Sequence, residues 1–187
     1  MLKLSKESIR DFKAWKDAGI ELPKFDVDIV RANTRKNPTW VHFGHGNIFR
    51  AFIAVLQQRL LNAGKADTGI IAVGPIDSEV IDAVYTPYDN LTLLVTMHPD
   101  GRLEKKIIGS ISEALTASVL RDQDWNRLKE IFSKPSLQMV SFTITEKGYK
   151  LRNFSGEYFE DVIKDMQEGP ENPRNTMSKV ASLAYTR

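Results

Sequence analysis

The sequence contains no cysteine. This absence excludes a disulfide scaffold, a cysteine-based metal site and a thiol nucleophile. The three histidines, His42, His45 and His98, do not have the HExxH spacing of a zinc-binding helix. We therefore expect no metal site.

The sequence also has no large excess of positive or negative charge and no long apolar run. The 26 basic residues nearly balance the 24 acidic ones and leave a formal charge of +2, which argues against a nucleic-acid partner or an anionic membrane. No apolar stretch approaches the ~20 residues that a membrane helix needs, and the first residues do not form a signal peptide. We expect a cytoplasmic protein with neither kind of partner.

The order of the apolar segments along the chain predicts the fold. Short buried strands are predicted at 40–43, 69–74 and 137–145. Helices are predicted between them, at 48–61, 77–83 and 122–133. Strand and helix in alternation indicate βαβ units with a parallel sheet. The predicted fold is therefore a Rossmann-type, doubly wound α/β domain over residues 39–187.

Three segments lie outside this alternation. Two β-rich runs, 91–97 and 103–109, flank an Asp-Gly turn and predict an antiparallel hairpin inserted in the domain. Residues 1–38 predict a helical extension, with helices at 8–16 and 26–35. The last part of the chain predicts helices near 158–167 and from residue 175 onward.

The turn after the first strand carries the most informative residues: Gly44, His45, Gly46, Asn47, Ile48 and Arg50. A glycine turn between a strand and a helix is the setting of a dinucleotide fingerprint. Gly44 permits a tight turn, and Gly46 lets the backbone approach a pyrophosphate that the helix N-terminal amides bind. Arg50, one turn into the helix, can add a contact to phosphate.

Two observations leave alternatives open. The third glycine of the fingerprint is missing because Phe49 stands there, and glycines also occur in such turns for geometry alone. Asp77 is the nearest carboxylate after the second strand. It suits the ribose of an adenosine, which would favour NAD over NADP, or it caps the next helix.

Three blocks of the sequence resemble the long-chain mannitol dehydrogenase family of polyol and sugar-acid dehydrogenases. Residues 40–52 are similar to its strand followed by G-x-G-N-F-H-R-A-H, and residues 87–95 to its Q-D-G-x-Y-T-L segment. Residues 143–149 match its T-x-T-E-K-G-Y block, the most specific of the three. Order and approximate spacing agree over residues 39–187.

The first block departs from the family pattern at Ile48, Phe49 and Phe52, where Phe, His and His are usual. The loss of two imidazoles predicts fewer polar contacts near a cofactor. The departures favour a branch of the family that acts on a sugar acid such as mannonate.

The resemblance implies a bound NAD, with NADP as the alternative, and places the pyrophosphate at Gly44, Gly46 and Asn47. It also implies that Thr145, Glu146 and Lys147 lie against the nicotinamide. Alternatively, these three residues belong to a solvated loop that has no binding role. The implied substrate is a sugar acid or a polyol, and the implied reaction is its interconversion with the keto form.

The family's chemistry also needs a lysine base in a K-x5-N-x2-H pattern, and this chain lacks it: no asparagine stands three residues before any histidine. We therefore expect an N-terminal domain that is inert alone and has as its partner a catalytic C-terminal domain of the same protein. The alternative is a non-catalytic nucleotide-binding or regulatory module. A methyltransferase is disfavoured by the hairpin and by the block at 143–149.

Overall fold

The computed structural model describes residues 2–75 and 79–185. Seven strands occur in these residues: β1 (Ile20–Glu21), β2 (Trp40–Phe43), β3 (Ile70–Gly74), β4 (Thr92–Met97), β5 (Leu103–Ile108), β6 (Ile111–Thr116) and β7 (Met139–Phe142). The α-helices there are α1 (Phe12–Asp17), α2 (Val27–Lys36), α3 (Ala54–Asn62), α4 (Asp122–Ser133), α5 (Glu146–Tyr149), α6 (Glu160–Glu168) and α7 (Thr176–Tyr185).

The central sheet has four parallel strands in the order β6-β3-β2-β7. Starting from β2, the chain adds β3 and β6 on one side and then β7 on the other. The strand order therefore reverses between β2 and β7, and ligands of such sheets bind at the carboxyl ends of the strands at this point. The predicted Rossmann-type α/β fold is confirmed.

Helices cover both faces of this sheet because successive side chains of a strand point to opposite sides. Ile71 and Val73 pack with residues of α4 and α7. Ile70 and Ala72 pack on the other face, with the helix that follows β2. Within the part of the chain that the structure describes, no helix is long and apolar enough to cross a membrane.

A second, smaller sheet has the order β1-β5-β4. Its strands β4 and β5 are antiparallel and joined by a turn in which Gly101 has φ +82° and donates its N–H to the His98 carbonyl at 2.9 Å. The predicted hairpin is confirmed. The short β1 of the N-terminal segment pairs with β5, and the domain boundary at residue 38 stays a prediction.

Strand β6 is absent from the sequence-based prediction, which gave the sheet three strands. The strand includes the polar residues Ser112 and Glu113, and both side chains have partners. Ser112 Oγ lies 2.9 Å from Thr34 Oγ1, and Glu113 pairs with Arg127 at 2.7 Å. Partnered polar groups can be buried at little cost.

The N-terminal helix is shorter than predicted. Residues Ser8–Arg10 form a 3-10 turn, and α1 begins only at Phe12 because Asp11 caps it, accepting the N–H of Ala14 at 3.1 Å. Strand β7 is also shorter than the predicted 137–145, since the chain leaves the sheet after Phe142. The predicted helix opening at residue 77 begins outside the described residues.

The helix after β2 starts with a π-helical segment, Phe49–Ile53, and continues as α3. Its apolar residues form one broad face. Only part of that face is buried, while a row at four-residue steps is exposed: Ile48, Phe52, Leu56 and Leu60. Buried Gln58 instead ties α3 to the hairpin, donating to the Ile107 carbonyl at 2.8 Å and accepting from Gly109 N–H at 2.7 Å.

Candidate functional site

Gly44 stands at the end of β2, in close contact with β7. Its φ is +122°, and its N–H donates to the Val73 carbonyl at 2.9 Å. A Cβ at this position would lie 2.5 Å from Thr143 Oγ1 and 2.6 Å from the Thr143 carbonyl oxygen. Only glycine satisfies both the dihedral angle and the contact.

Gly46 has the opposite surroundings. A Cβ there would meet no heavy atom of the described residues within 4 Å, so the backbone is open to a ligand. The Gly46 carbonyl accepts the first helical bond, from Arg50 N–H at 3.1 Å. The N–H groups of Asn47 and Ile48 belong to the first turn, where amides lack helical partners and the helix dipole is positive. The turn therefore offers donors to an anion.

Tyr85 packs against the glycine turn and binds its backbone. Its hydroxyl donates to the His45 carbonyl at 2.6 Å, and the two rings stack with centroids 6.4 Å apart. Burial raises the pKa of Tyr85, so the hydroxyl stays protonated and donates at neutral pH. The Arg50 guanidinium lies 5.8 Å from the centre of this ring, and its Nη2 donates to Asn47 Oδ1 at 2.6 Å. The predicted phosphate-binding side chains are thus assembled at one place.

Replacing Tyr85 with phenylalanine should lower the free energy of unfolding by about 1–2 kcal/mol, because the His45 carbonyl loses its donor. Urea unfolding followed by circular dichroism measures the change. Tyr88→Phe is the matched control, since Tyr88 is 42% exposed. Equal stability of the two variants would contradict a structural role for the Tyr85 hydroxyl.

His42 is fully buried in β2 and joins three elements. Its Nδ1 lies 2.7 Å from Ser141 Oγ and its Nε2 lies 2.8 Å from Thr143 Oγ1. The ring stacks on Phe49 with centroids 4.5 Å apart and planes 10° apart. Burial lowers the pKa of His42 to about 4, so the imidazole is neutral at pH 7.

The third sequence block starts beside Gly44. Thr143 N–H donates to the Phe43 carbonyl at 2.8 Å, which brings the block to the carboxyl edge of the sheet. Thr145, Glu146 and Lys147 follow and are exposed. Glu146 pairs with Lys150 at 2.8 Å, and this pairing lowers the Glu146 pKa. The block therefore lies at the same edge as the turn.

Two further predictions have different outcomes. Asp77 lies outside the described residues, so its ribose-binding and capping roles stay predictions. Among the residues described, no group of three or more histidine and carboxylate side chains could hold a metal ion.

The departures from the family pattern lie in unlike environments. Phe49, expected near a cofactor, is buried against His42. Ile48 and Phe52 are 71% and 62% exposed on the outer side of the helix. Sequence reasoning missed His42 and Tyr85 as parts of the site. The position of His42 two residues before the glycine turn was the available signal for one of them.

Fold and turn together define a Rossmann-type α/β domain with a glycine turn at its switch point. Among curated proteins, the chain is 51% identical over 186 residues to the D-mannonate oxidoreductase of Thermotoga maritima, covering all of this chain and 34% of the relative. It is 32% identical over 182 residues to a mannitol 2-dehydrogenase of Aspergillus clavatus, covering 94% of this chain and 34% of that protein. The chain spans about a third of the length of these relatives.

Solved structures agree with the sequence relatives. The substrate-free crystal structure of a D-sorbitol dehydrogenase matches with a TM-score of 0.72 and 27% identity, over 89% of this chain and 33% of that one. The ternary complex of Pseudomonas fluorescens mannitol 2-dehydrogenase with NAD and D-mannitol matches with a TM-score of 0.73 and 26% identity, over 90% of this chain and 33% of that one.

No family model matches the chain. The relatives nevertheless confirm the resemblance to the long-chain mannitol dehydrogenase family along the whole chain. The 51% identity to a D-mannonate oxidoreductase agrees with the predicted resemblance to the mannonate branch of the family.

Proposed function

We propose that this chain binds NAD as the nucleotide-binding part of an oxidoreductase that interconverts a sugar acid or polyol and its keto form. One observation carries the proposal: the glycine turn lies at the switch point between β2 and β7, with Gly46 open to a ligand. The pyrophosphate would lie against Gly44, Gly46 and Asn47. The relative solved in complex with NAD supports the choice of ligand.

The residues around the turn fit a dinucleotide. First-turn amides and the helix dipole favour the negative pyrophosphate. Arg50 lies beside these amides, and its Nε is buried without a hydrogen-bond partner among the described residues. The adenosine would extend toward β3, and the ribose-binding role predicted for Asp77 would favour NAD over NADP. The nicotinamide would extend toward β7, where Thr145, Glu146 and Lys147 follow.

The bound cofactor supplies hydride chemistry, while this chain's residues hold and orient it. A proton-transferring group must also meet the substrate. We assign this group, with most substrate contacts, to the remaining two thirds of a longer protein like the relatives. The exposed apolar row on the helix after the turn supports this assignment. It starts at Ile48, next to the amides, and gives such a domain a surface to cover.

Titration of the chain with NADH tests the proposal. We expect saturable quenching of tryptophan fluorescence, because Trp40 lies in β2 close to the turn. Gly46→Val should raise the Kd at least about tenfold, since its side chain would fill the space that the pyrophosphate needs. The fold should persist, because no described atom lies within 4 Å of the new Cβ.

Ala63→Val, at the exposed far end of α3, is the matched control and should bind as the unmodified chain does. Equal affinity of Gly46→Val and the control would contradict a pyrophosphate site at the turn. A longer protein that binds NADH but transfers no hydride to or from a sugar acid or polyol would favour the regulatory module instead.

A further inference from the structure

A directed chain of hydrogen bonds runs under the switch point. Trp40 Nε1 donates to Ser141 Oγ at 2.7 Å, and Ser141 Oγ lies 2.7 Å from His42 Nδ1. His42 Nε2 then lies 2.8 Å from Thr143 Oγ1. The chain thus starts at an indole and ends at a hydroxyl beside Gly44.

The indole sets the direction of the first bond. An indole N–H only donates, so Ser141 Oγ accepts from Trp40. Among the described residues, the hydrogen of the Ser141 hydroxyl has no acceptor within bonding distance other than His42 Nδ1. With that hydrogen directed to Nδ1, the single hydrogen of the neutral imidazole lies on Nε2 and points to Thr143.

Thr143 consequently accepts from His42 and keeps its own hydrogen for another acceptor. Among the described residues, the Thr143 side chain has no hydrogen bond other than the one to His42. Thr143 is partly exposed at the carboxyl edge, and its Oγ1 would lie 2.5 Å from a Cβ at Gly44. A donor in this position faces the space where the dinucleotide would lie.

We propose that the Thr143 hydroxyl donates a hydrogen bond to an oxygen of the bound dinucleotide, and that His42 is a positioning residue that fixes the direction of this hydroxyl. The proposal rests on the dinucleotide-binding function above. In this arrangement the buried imidazole contributes to the site without touching the ligand itself. Phe49, stacked on the ring, holds it in this orientation.

Binding of NADH by Thr143 variants tests the contact. Thr143→Val removes the hydroxyl and keeps the shape, so the Kd should rise about five- to tenfold. Thr143→Ser keeps the hydroxyl and should restore affinity to within about twofold. Thr96→Val, on the hairpin strand β4, is the control for a lost threonine hydroxyl away from the turn.

Nitrogen NMR of the histidine side chains in the unmodified chain tests the positioning role without any ligand. We expect His42 to carry its hydrogen on Nε2 at pH 7, with Nδ1 bare. The opposite tautomer would overturn the directed chain, even if Thr143→Val fails to fold. Saturable NADH binding with equal Kd for Thr143→Val and the unmodified chain would overturn the Thr143 contact alone, whereas no binding by the unmodified chain would overturn the proposed function and this contact with it.

Discussion

Gly44→Ala should destabilise the fold by about 3 kcal/mol or more. The φ of +122° disfavours any side chain, and the new Cβ would lie 2.6 Å from the carbonyl oxygen of Thr143. This backbone cannot rotate away, because Thr143 N–H is bonded to the Phe43 carbonyl at 2.8 Å. Relief of the contact therefore requires β2 and β7 to separate.

Urea unfolding of Gly44→Ala beside Gly46→Ala measures this effect. The two glycines lie two residues apart in one turn, yet Gly46 has an ordinary φ and open space around it. We expect Gly46→Ala to stay within about 1 kcal/mol of the unmodified chain. If both variants lose a similar amount of unfolding free energy, the close contact between Gly44 and Thr143 would be contradicted.

The turn could be predicted from sequence because its requirements are local. Gly44 and Gly46 follow a short apolar strand and precede a helix, so neighbouring residues alone indicate the turn. The hairpin could be predicted in the same way, since Asp100-Gly101 separates two β-rich runs and Gly101 takes the expected positive φ. Such signals depend on the chain's own dihedral preferences rather than on distant partners.

The supporting layer of the site could not be predicted in the same way. His42 meets Ser141 and Thr143 about a hundred residues away, and Tyr85 meets the His45 carbonyl forty residues away. Nothing in the local pattern pairs these groups. Strand β7 had to be placed next to β2 before the role of a buried imidazole could be inferred.

Periodicity also fails to tell what covers an apolar row. The helix after β2 has one broad apolar face, but only the side with Phe49, Ala54 and Leu61 is buried. The row from Ile48 to Leu60 is also apolar, but it is exposed on the surface. Hydrophobic spacing reports that a surface is apolar, while its burial depends on which element packs against it.

The stability of the chain should fall by about 2 kcal/mol between pH 7 and pH 5 through His42 alone. Burial lowers its pKa from 6.5 to about 4 in the folded chain, so the unfolded chain binds the proton more readily. The contribution is complete above pH 6.5 and is lost as the pH falls toward 4. Carboxylates with lowered pKa values, such as Glu130 and Glu160, lose their contributions only at lower pH.

Urea unfolding at intervals between pH 5 and pH 7 measures this loss, with His42→Phe as the comparison. The phenyl ring keeps the stacking on Phe49 and cannot be protonated, so its stability should change much less over the same interval. The slope rather than the absolute stability isolates the imidazole, because the variant also leaves two hydroxyls without their partner. A parallel pH dependence in both proteins would show that His42 takes up a proton in the folded state as easily as in the unfolded one, and that the hydrogen-bonded chain beneath the turn tolerates a charged ring.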